Sequence, residues 1–256
     1  MIISIVNHKG GTGKTTTTIN LGSALAATGH RTLLVDFDAQ GSLSYSLGID
    51  DGCASIAEAL LGEVAIDEIV QKRESMDILP AGPTLANVEL SIAQADERFN
   101  HLKQLLSELP VYEFILIDCP PSLSLLTLNA LNASDYVIVP MQMDVLALRG
   151  LDSMLETIRK IGPINPQLEV LGILPIMVDA RKNIHQEIRN HITTNYSVPL
   201  FEHAIHGSVK AAEAPSFGKS VLHYAPSSTT ANDYKGLAKE ILSVTKSLQN
   251  KLITQK

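Results

Sequence analysis

Tryptophan is absent from this chain, cysteine occurs only twice, and no apolar run is long. Each shortage removes a class of protein. Cys53 and Cys119 lie far apart with no C-x-x-C spacing, which argues against a disulfide framework or a structural metal and for a reducing cytoplasm. A membrane-spanning helix needs roughly 18–20 consecutive apolar residues, and no run approaches that length. The opening "MIISIV" is too short for the core of a signal peptide and leads straight into a motif, so the mature chain is expected to start here. Positive charge is also in short supply: 20 Lys and Arg against 27 Asp and Glu leave a net charge of −7. That argues against a wholly basic nucleic-acid binder but leaves room for a local basic patch. The sequence contains no repeat, linker or low-complexity segment, and no helix-turn-helix precedes the first strand.

What remains is a soluble, globular composition, 45% hydrophobic over 256 residues, enough for one domain with a full-sized core. Short β-branched runs at 2–7, 31–38, 76–80, 114–120, 135–141 and 168–176 read as strands. Helical patterns lie between them at 14–29, 84–107, 123–132, 145–161 and 181–194. Apolar runs without alternation suit parallel strands covered on both faces. The expectation is a doubly wound α/β fold, mostly parallel, spanning 1–256 as a single domain, with ligands beyond the carboxyl ends of the strands.

The first strand runs into "VNHKGGTGKTTTT", and its strand–glycine turn–helix context is that of a phosphate-binding loop. Gly10, Gly11 and Gly13 let the backbone curl so that amides point inward at phosphate oxygens, with Thr12 between them and Thr16 following. Lys14 is placed to bridge β- and γ-phosphates, and the Thr15 hydroxyl to hold Mg²⁺. The ordinary loop has a glycine five residues before Gly13; here that position is His8, and a second lysine, Lys9, stands on the outer lip. An outward lysine there is either merely solvated or reserved for a charge arriving from outside. Two acidic blocks complete the picture. "LLVDFDAQGS" puts Asp36 and Asp38 at the end of the second strand, able to order metal-bound or attacking water. In "FILIDCPPS", four apolar residues precede Asp118, whose carboxylate is placed to reach Mg²⁺ through water, before the stiff pair Pro120 and Pro121.

The stretch "KGGTGKT" resembles the deviant Walker motif of the ParA/MinD family of ATPases. "VDFDAQGS" is similar to that family's "VDxDPQGN", departing at Ala39 and Ser42, and "FILIDCPPS" fits its Walker-B pattern. The resemblance implies a P-loop NTPase fold, ATP and Mg²⁺ as cofactors, and a homodimer with ATP sandwiched between protomers. It also implies that Lys9 crosses to the partner's phosphates and that Asp38 is needed for hydrolysis. "LGILPIMVDARKN" looks like a family stretch that assigns Asp179 and Arg181. "SVKAAEAPSFGKSVLHYAPSSTTANDYKGLAKEI" looks like another, which assigns DNA contact to Lys210 and Arg181 and adenine packing to Ala214 and Pro215. "IHGS" departs from the family's "IPRN" and loses a proline and an arginine. No local motif positions an arginine finger, which is worth roughly 10³–10⁵ in rate; a slow ATPase accelerated by a ParB-like partner is expected.

On this reading the chain resembles the short, chromosomal-type members. Its ATP form would bind DNA without sequence preference, through basic residues such as Arg181, Lys182, Lys210, Lys219, Lys235 and Lys239, and segregate or position DNA or another cargo on the nucleoid. Two other readings stay open. One is a MinD-like membrane-cycling regulator of cell-division placement, because Leu237, Ile241, Val244, Leu248 and Leu252 share a helix face opposite Lys235, Lys239 and Lys246. That helix lacks Trp and Phe, so packing on the domain is favoured over a membrane. The other is an electron-transfer ATPase like the nitrogenase iron protein, which Cys119 does not match in position.

Overall fold

The apolar runs assemble into one eight-stranded sheet in the computed structural model, which describes residues 1–50, 52–95, 97–179 and 183–254, without the side chains of 183 and 248–254. The strands are β1 (Ile2–Ile5), β2 (Thr32–Asp36), β3 (Gln71–Arg73), β4 (Met76–Leu79), β5 (Phe114–Asp118), β6 (Tyr136–Gln142), β7 (Glu169–Val178) and β8 (Ile205–His206). Across the sheet they run β3-β4-β2-β5-β1-β6-β7-β8. All pairings are parallel except that of β3 with β4. The doubly wound α/β expectation therefore holds.

Strand periodicity explains the two cores. Every residue of β2 and β5 is buried, and successive side chains face opposite sides. Leu33, Val35, Ile115 and Ile117 enter one core, together with Leu126 and Leu151 from helices Leu125–Ala133 and Val145–Ile161. Leu34, Phe114 and Leu116 enter the other, with Leu21 and Leu25 of helix Lys14–Ala27 and Leu237 and Ile241 of helix Thr229–Thr254. The apolar face of that last helix is thus committed to the domain, as favoured above; the side chains of Leu248 and Leu252 lie outside the described residues. Among the described residues no helix is long and apolar enough to cross a membrane.

Three features departed from the sequence pattern. Edge strands β3 and β8 carry three and two residues, too few to show any period, and only their ladders define them. The stretch read as one helix over 84–107 is two, Leu85–Ile92 and His101–Ser107. The connection between them is pinned from another helix: Asn129 donates to the Arg98 carbonyl at 2.8 Å, and Asn132 to the Phe99 carbonyl at 2.9 Å. Tertiary bonds there replace the ladder a continuous helix would have made.

Helix Lys14–Ala27 lies unusually close to the sheet at Gly22. A Cβ there would collide with Leu34 Cδ2 and come within 3.3 Å of Met76 Sδ. Helix propensity alone would make Gly22→Ala stabilising by about 1 kcal/mol. Overpacking a fully buried contact costs roughly 1–3 kcal/mol. The expected outcome is net destabilisation, read as a lower urea midpoint at unchanged slope; a raised midpoint would contradict the packing described.

Candidate functional site

The site forms where β1, β2 and β5 end, the crevice at which open parallel sheets place ligands. Gly11 and Gly13 adopt left-handed conformations, φ 71° and 66°, which glycine enters freely. The turn starts helix Lys14–Ala27 without a side-chain cap and without an acidic residue in its first turn. The first intrahelical bond runs from the Thr17 amide to the Gly13 carbonyl at 2.8 Å. The amides of Lys14, Thr15 and Thr16 therefore have no acceptor within the helix, and they stand at the positive end of its dipole. That end of the helix is a receptor for an anion.

Lys14 intensifies the demand. It is buried, 8% exposed, and among the described residues its ammonium has neither an ion-pair nor a hydrogen-bond partner. Burial lowers its pKa, against the smaller pulls of Asp118, Cys119 and Asp38. Beside it the Thr15 hydroxyl donates to Asp118 Oδ2 at 2.7 Å, while Asp118 Oδ1 is buried with no partner among the described residues. An orphaned carboxylate oxygen next to a threonine hydroxyl is a donor set for a hard cation, so these residues fit Mg²⁺. Burial, then the nearby Asp36 charge, raises the Asp118 pKa well above the carboxylate range.

Asp36 and Asp118 are register partners on β2 and β5, but their environments differ. Asp36 Oδ2 accepts from the Ser44 amide at 2.8 Å and the Ser44 hydroxyl at 2.7 Å. It anchors the loop after β2, and Ser44 was not singled out in the sequence. Burial pushes Asp36 up to about 6. Asp38 is half-buried at the rim, where its Oδ1 accepts from the Gln40 amide at 3.1 Å.

The lip of the loop is built by residues the motif does not mark. Asn7 donates to the Pro140 carbonyl at 2.7 Å and accepts from the Lys9 amide at 3.0 Å, tying the loop to β6. His8 stands 3.2 Å from the Thr157 hydroxyl on helix Val145–Ile161, and burial lowers its pKa. The Thr12 hydroxyl donates to the Lys9 carbonyl at 3.0 Å. The Lys9 side chain is half-exposed, its Nζ 3.5 Å from Gln142 Oε1 and 4.0 Å from Asp144 Oδ2. Gly10 is open: a Cβ there would meet nothing within 4 Å.

A cavity of about 150 Å³ adjoins the loop, bordered by Gly13 and Thr16 on one side and by Ile176, Ile205, His206 and Ala211 on others. Ala214 and Pro215, assigned to adenine above, do not line it. They open a 3-10 turn ending at Gly218, which closes instead on Gly48, with Ala214 buried. Of the basic residues, Lys210 is exposed but already paired with Glu213 at 2.8 Å, its Nζ 5.6 Å from the centre of the Tyr224 ring. Lys235 donates to the Pro226 carbonyl at 2.9 Å. Arg181 and Lys182 lie outside the described residues. The Asp179 amide, at the end of β7, donates to His185 Nδ1 at 3.2 Å. Cys119 is buried and its thiol pKa is pushed up by burial, so it presents no ligand at a molecular surface.

With this geometry in place, the chain can be set beside known proteins. A family described as an AAA domain matches residues 1–170. The chromosome partitioning protein ParA of Caulobacter vibrioides is 38% identical over 250 residues, covering 94% of each chain. The sporulation initiation inhibitor protein Soj of Bacillus subtilis is 39% identical over 246 residues, covering 94% of this chain and 97% of its own. The chain belongs to the ParA/MinD family of ATPases. Its fold also matches a protein with another printed role: a structure of cobyrinic acid a,c-diamide synthase from Mycobacterium smegmatis, with bound ATP analogue and magnesium, superposes with a TM-score of 0.87 at 35% identity, covering 96% and 95% of the two chains. The ParA/MinD loop, with its early lysine, is therefore the frame in which Lys9, Lys14 and the two register-paired aspartates are to be understood.

The carboxylates give a pH signature. A folded-state pKa of about 6 for Asp36, against about 3.9 unfolded, means its share of stability is intact below the unfolded value and is lost as pH rises through the folded one. In EDTA, wild type is expected to lose roughly 2–3 kcal/mol between pH 4 and 6 that Asp36→Asn retains. Parallel stability–pH profiles for the two proteins, from urea melts, would refute the assignment.

Proposed function

We propose that this chain is an ATPase that dimerises around ATP, holds DNA irrespective of sequence in that form, and thereby segregates or positions DNA or another large cargo at the nucleoid, in the cytoplasm. It acts as one domain over residues 1–256 in this reading. The observation that carries the proposal is Lys14, a buried lysine whose ammonium has no partner among the described residues, beside three first-turn amides with no acceptor in the helix. A triphosphate answers both demands at once. Magnesium, held by Thr15 and through water by Asp118, with Asp36 behind them, would neutralise charge on the phosphates. The amides from Gly10 to Thr16 and the Lys14 ammonium orient the β- and γ-phosphates. Asp38, at the rim with an accessible carboxylate, positions the attacking water.

Lys9 completes the partner's pocket. Its amine is exposed at the lip and weakly held by Gln142 and Asp144, so it is available to an incoming phosphate. ADP, lacking the γ-phosphate, would hold the pair poorly. Among the described residues no arginine pairs with the loop, which supports a slow intrinsic rate that a ParB-like partner accelerates. DNA contact falls to Arg181 and Lys210, doubled by dimerisation; for Lys210 the Glu213 pair must open first. Membrane attachment through the terminal helix is disfavoured, because Leu237 and Ile241 are already fully buried.

The test is DNA retention and molar mass with ATP, ADP or no nucleotide. Asp38→Ala is expected to stay dimeric and trapped on DNA with ATP, with hydrolysis reduced by at least roughly 10²-fold. Lys14→Ala forms no dimer, and Lys210→Ala dimerises without retaining DNA. An Asp38→Ala protein that remains monomeric at saturating ATP and Mg²⁺ overturns the proposal, as does retention on liposomes rather than DNA. Normal DNA retention by Lys210→Ala removes that residue from the DNA face.

A further inference from the structure

The cavity beside the loop has a polar feature that the phosphate chemistry does not use. It begins at Gly13 and Thr16, where the loop passes into the helix, so a nucleotide whose phosphates lie on the loop amides reaches into it with its base. Its wall is built with a backbone irregularity. Met177 takes a left-handed φ of 53°, and the β7–β8 register shifts between Ile176 and Val178. A non-glycine residue held in that region marks a constrained site, and a bulge re-aims the side chains around it. Most of the lining is apolar, as a flat heterocycle requires.

His206 stands in this wall, held by a second element. Its amide donates to Asp233 Oδ2 at 2.9 Å, and its Nδ1 lies 3.0 Å from the same oxygen. Asp233 sits on helix Thr229–Thr254, whose Thr230 and Tyr234 also line the cavity. An ionised carboxylate only accepts, so the imidazole proton is on Nδ1. In the neutral ring that leaves Nε2 as a lone-pair acceptor, which has no other partner among the described residues. The other hydroxyls at that end are engaged. Ser208 accepts from the Lys210 amide at 3.2 Å, Thr230 lies 3.4 Å from the His206 carbonyl, and Tyr234 pairs with Thr17 at 3.3 Å.

We propose that His206, fixed in one tautomer by Asp233, selects a 6-aminopurine over a 6-oxopurine in this cavity. An exocyclic amine donates to Nε2, whereas a carbonyl oxygen would set two lone pairs against each other. The proposal rests on the nucleotide reading above and names the residue that reads the base. Sites that hydrogen-bond a substrate group discriminate against analogues that present an acceptor there instead of a donor.

The test is equilibrium binding of ATP and ITP, which differ at the 6-position and its accompanying N1 proton, to the full chain. Wild type is expected to prefer ATP. His206→Phe keeps an aromatic ring without the acceptor, and the ATP/ITP preference should fall by roughly 10-fold, mainly through weaker ATP binding. Asp233→Leu removes the acceptor that holds the proton on Nδ1, freeing the other tautomer, and should shift the preference the same way, which covers the case of a His206 variant that fails to fold. Lys14→Ala should weaken both nucleotides and leave their ratio unchanged. If both variants bind ATP and keep the wild-type ratio, His206 does not select the base, while the phosphate-site reading stands. If wild type binds neither triphosphate, both readings fall.

Discussion

A positive charge is buried at the foot of a helix whose own dipole is positive there, and much of the structure is arranged around that unfavourable arrangement. Lys14 is nearly inaccessible to water, and the first-turn amides of its helix have no acceptor within it. Without an anion, the ammonium loses hydration and gains little in return. The protein tolerates this because the helix is fixed elsewhere: Gly22 lets it press against Leu34, and Leu21 and Leu25 lie in the second core. Stability is drawn from the sheet and spent locally on a site ready for phosphate, the usual relation between strained functional sites and their scaffolds.

Opposite that charge, parallel pairing brings Asp36 and Asp118 abreast on neighbouring strands. Two carboxylates that close cannot both ionise freely in a buried setting. The fold separates their tasks by giving them different partners. Ser44 saturates one oxygen of Asp36, making it a tether for the following loop, while Asp118 keeps Oδ1 free beside the Thr15 hydroxyl. The same side chain is thus saturated on one strand and left with an open oxygen on the next, and hydrogen bonding decides which.

The terminal helix links the far half of the chain to this chemistry. Leu237 and Ile241 seal the second core, while Thr230 and Tyr234, in the same helix, line the cavity beside the loop and Asp233 holds His206 in its wall. Packing that stabilises the domain therefore also sets the geometry of a cavity wall. Elements more than 200 residues apart meet there, as the Tyr234–Thr17 contact at 3.3 Å illustrates across a separation of 217.

Sequence alone determined the elements whose signal is local. Lys9, Gly11, Gly13, Lys14 and Thr15 announced the loop, because glycine-permitted φ values and a helix start must be encoded in consecutive residues. Six strands were legible, because burial on both faces demands unbroken apolar runs. The cavity beside the loop, with His206 in its wall, was not visible in the sequence. Only tertiary structure decided that, just as it decided the split of 84–107 by Asn129 and Asn132, the tether of Asp36 to Ser44, and the strands β3 and β8. The physical reason is common to all of them: each depends on a hydrogen bond between residues brought together by folding, and a lone histidine or asparagine carries no periodicity that could reveal its partner in advance.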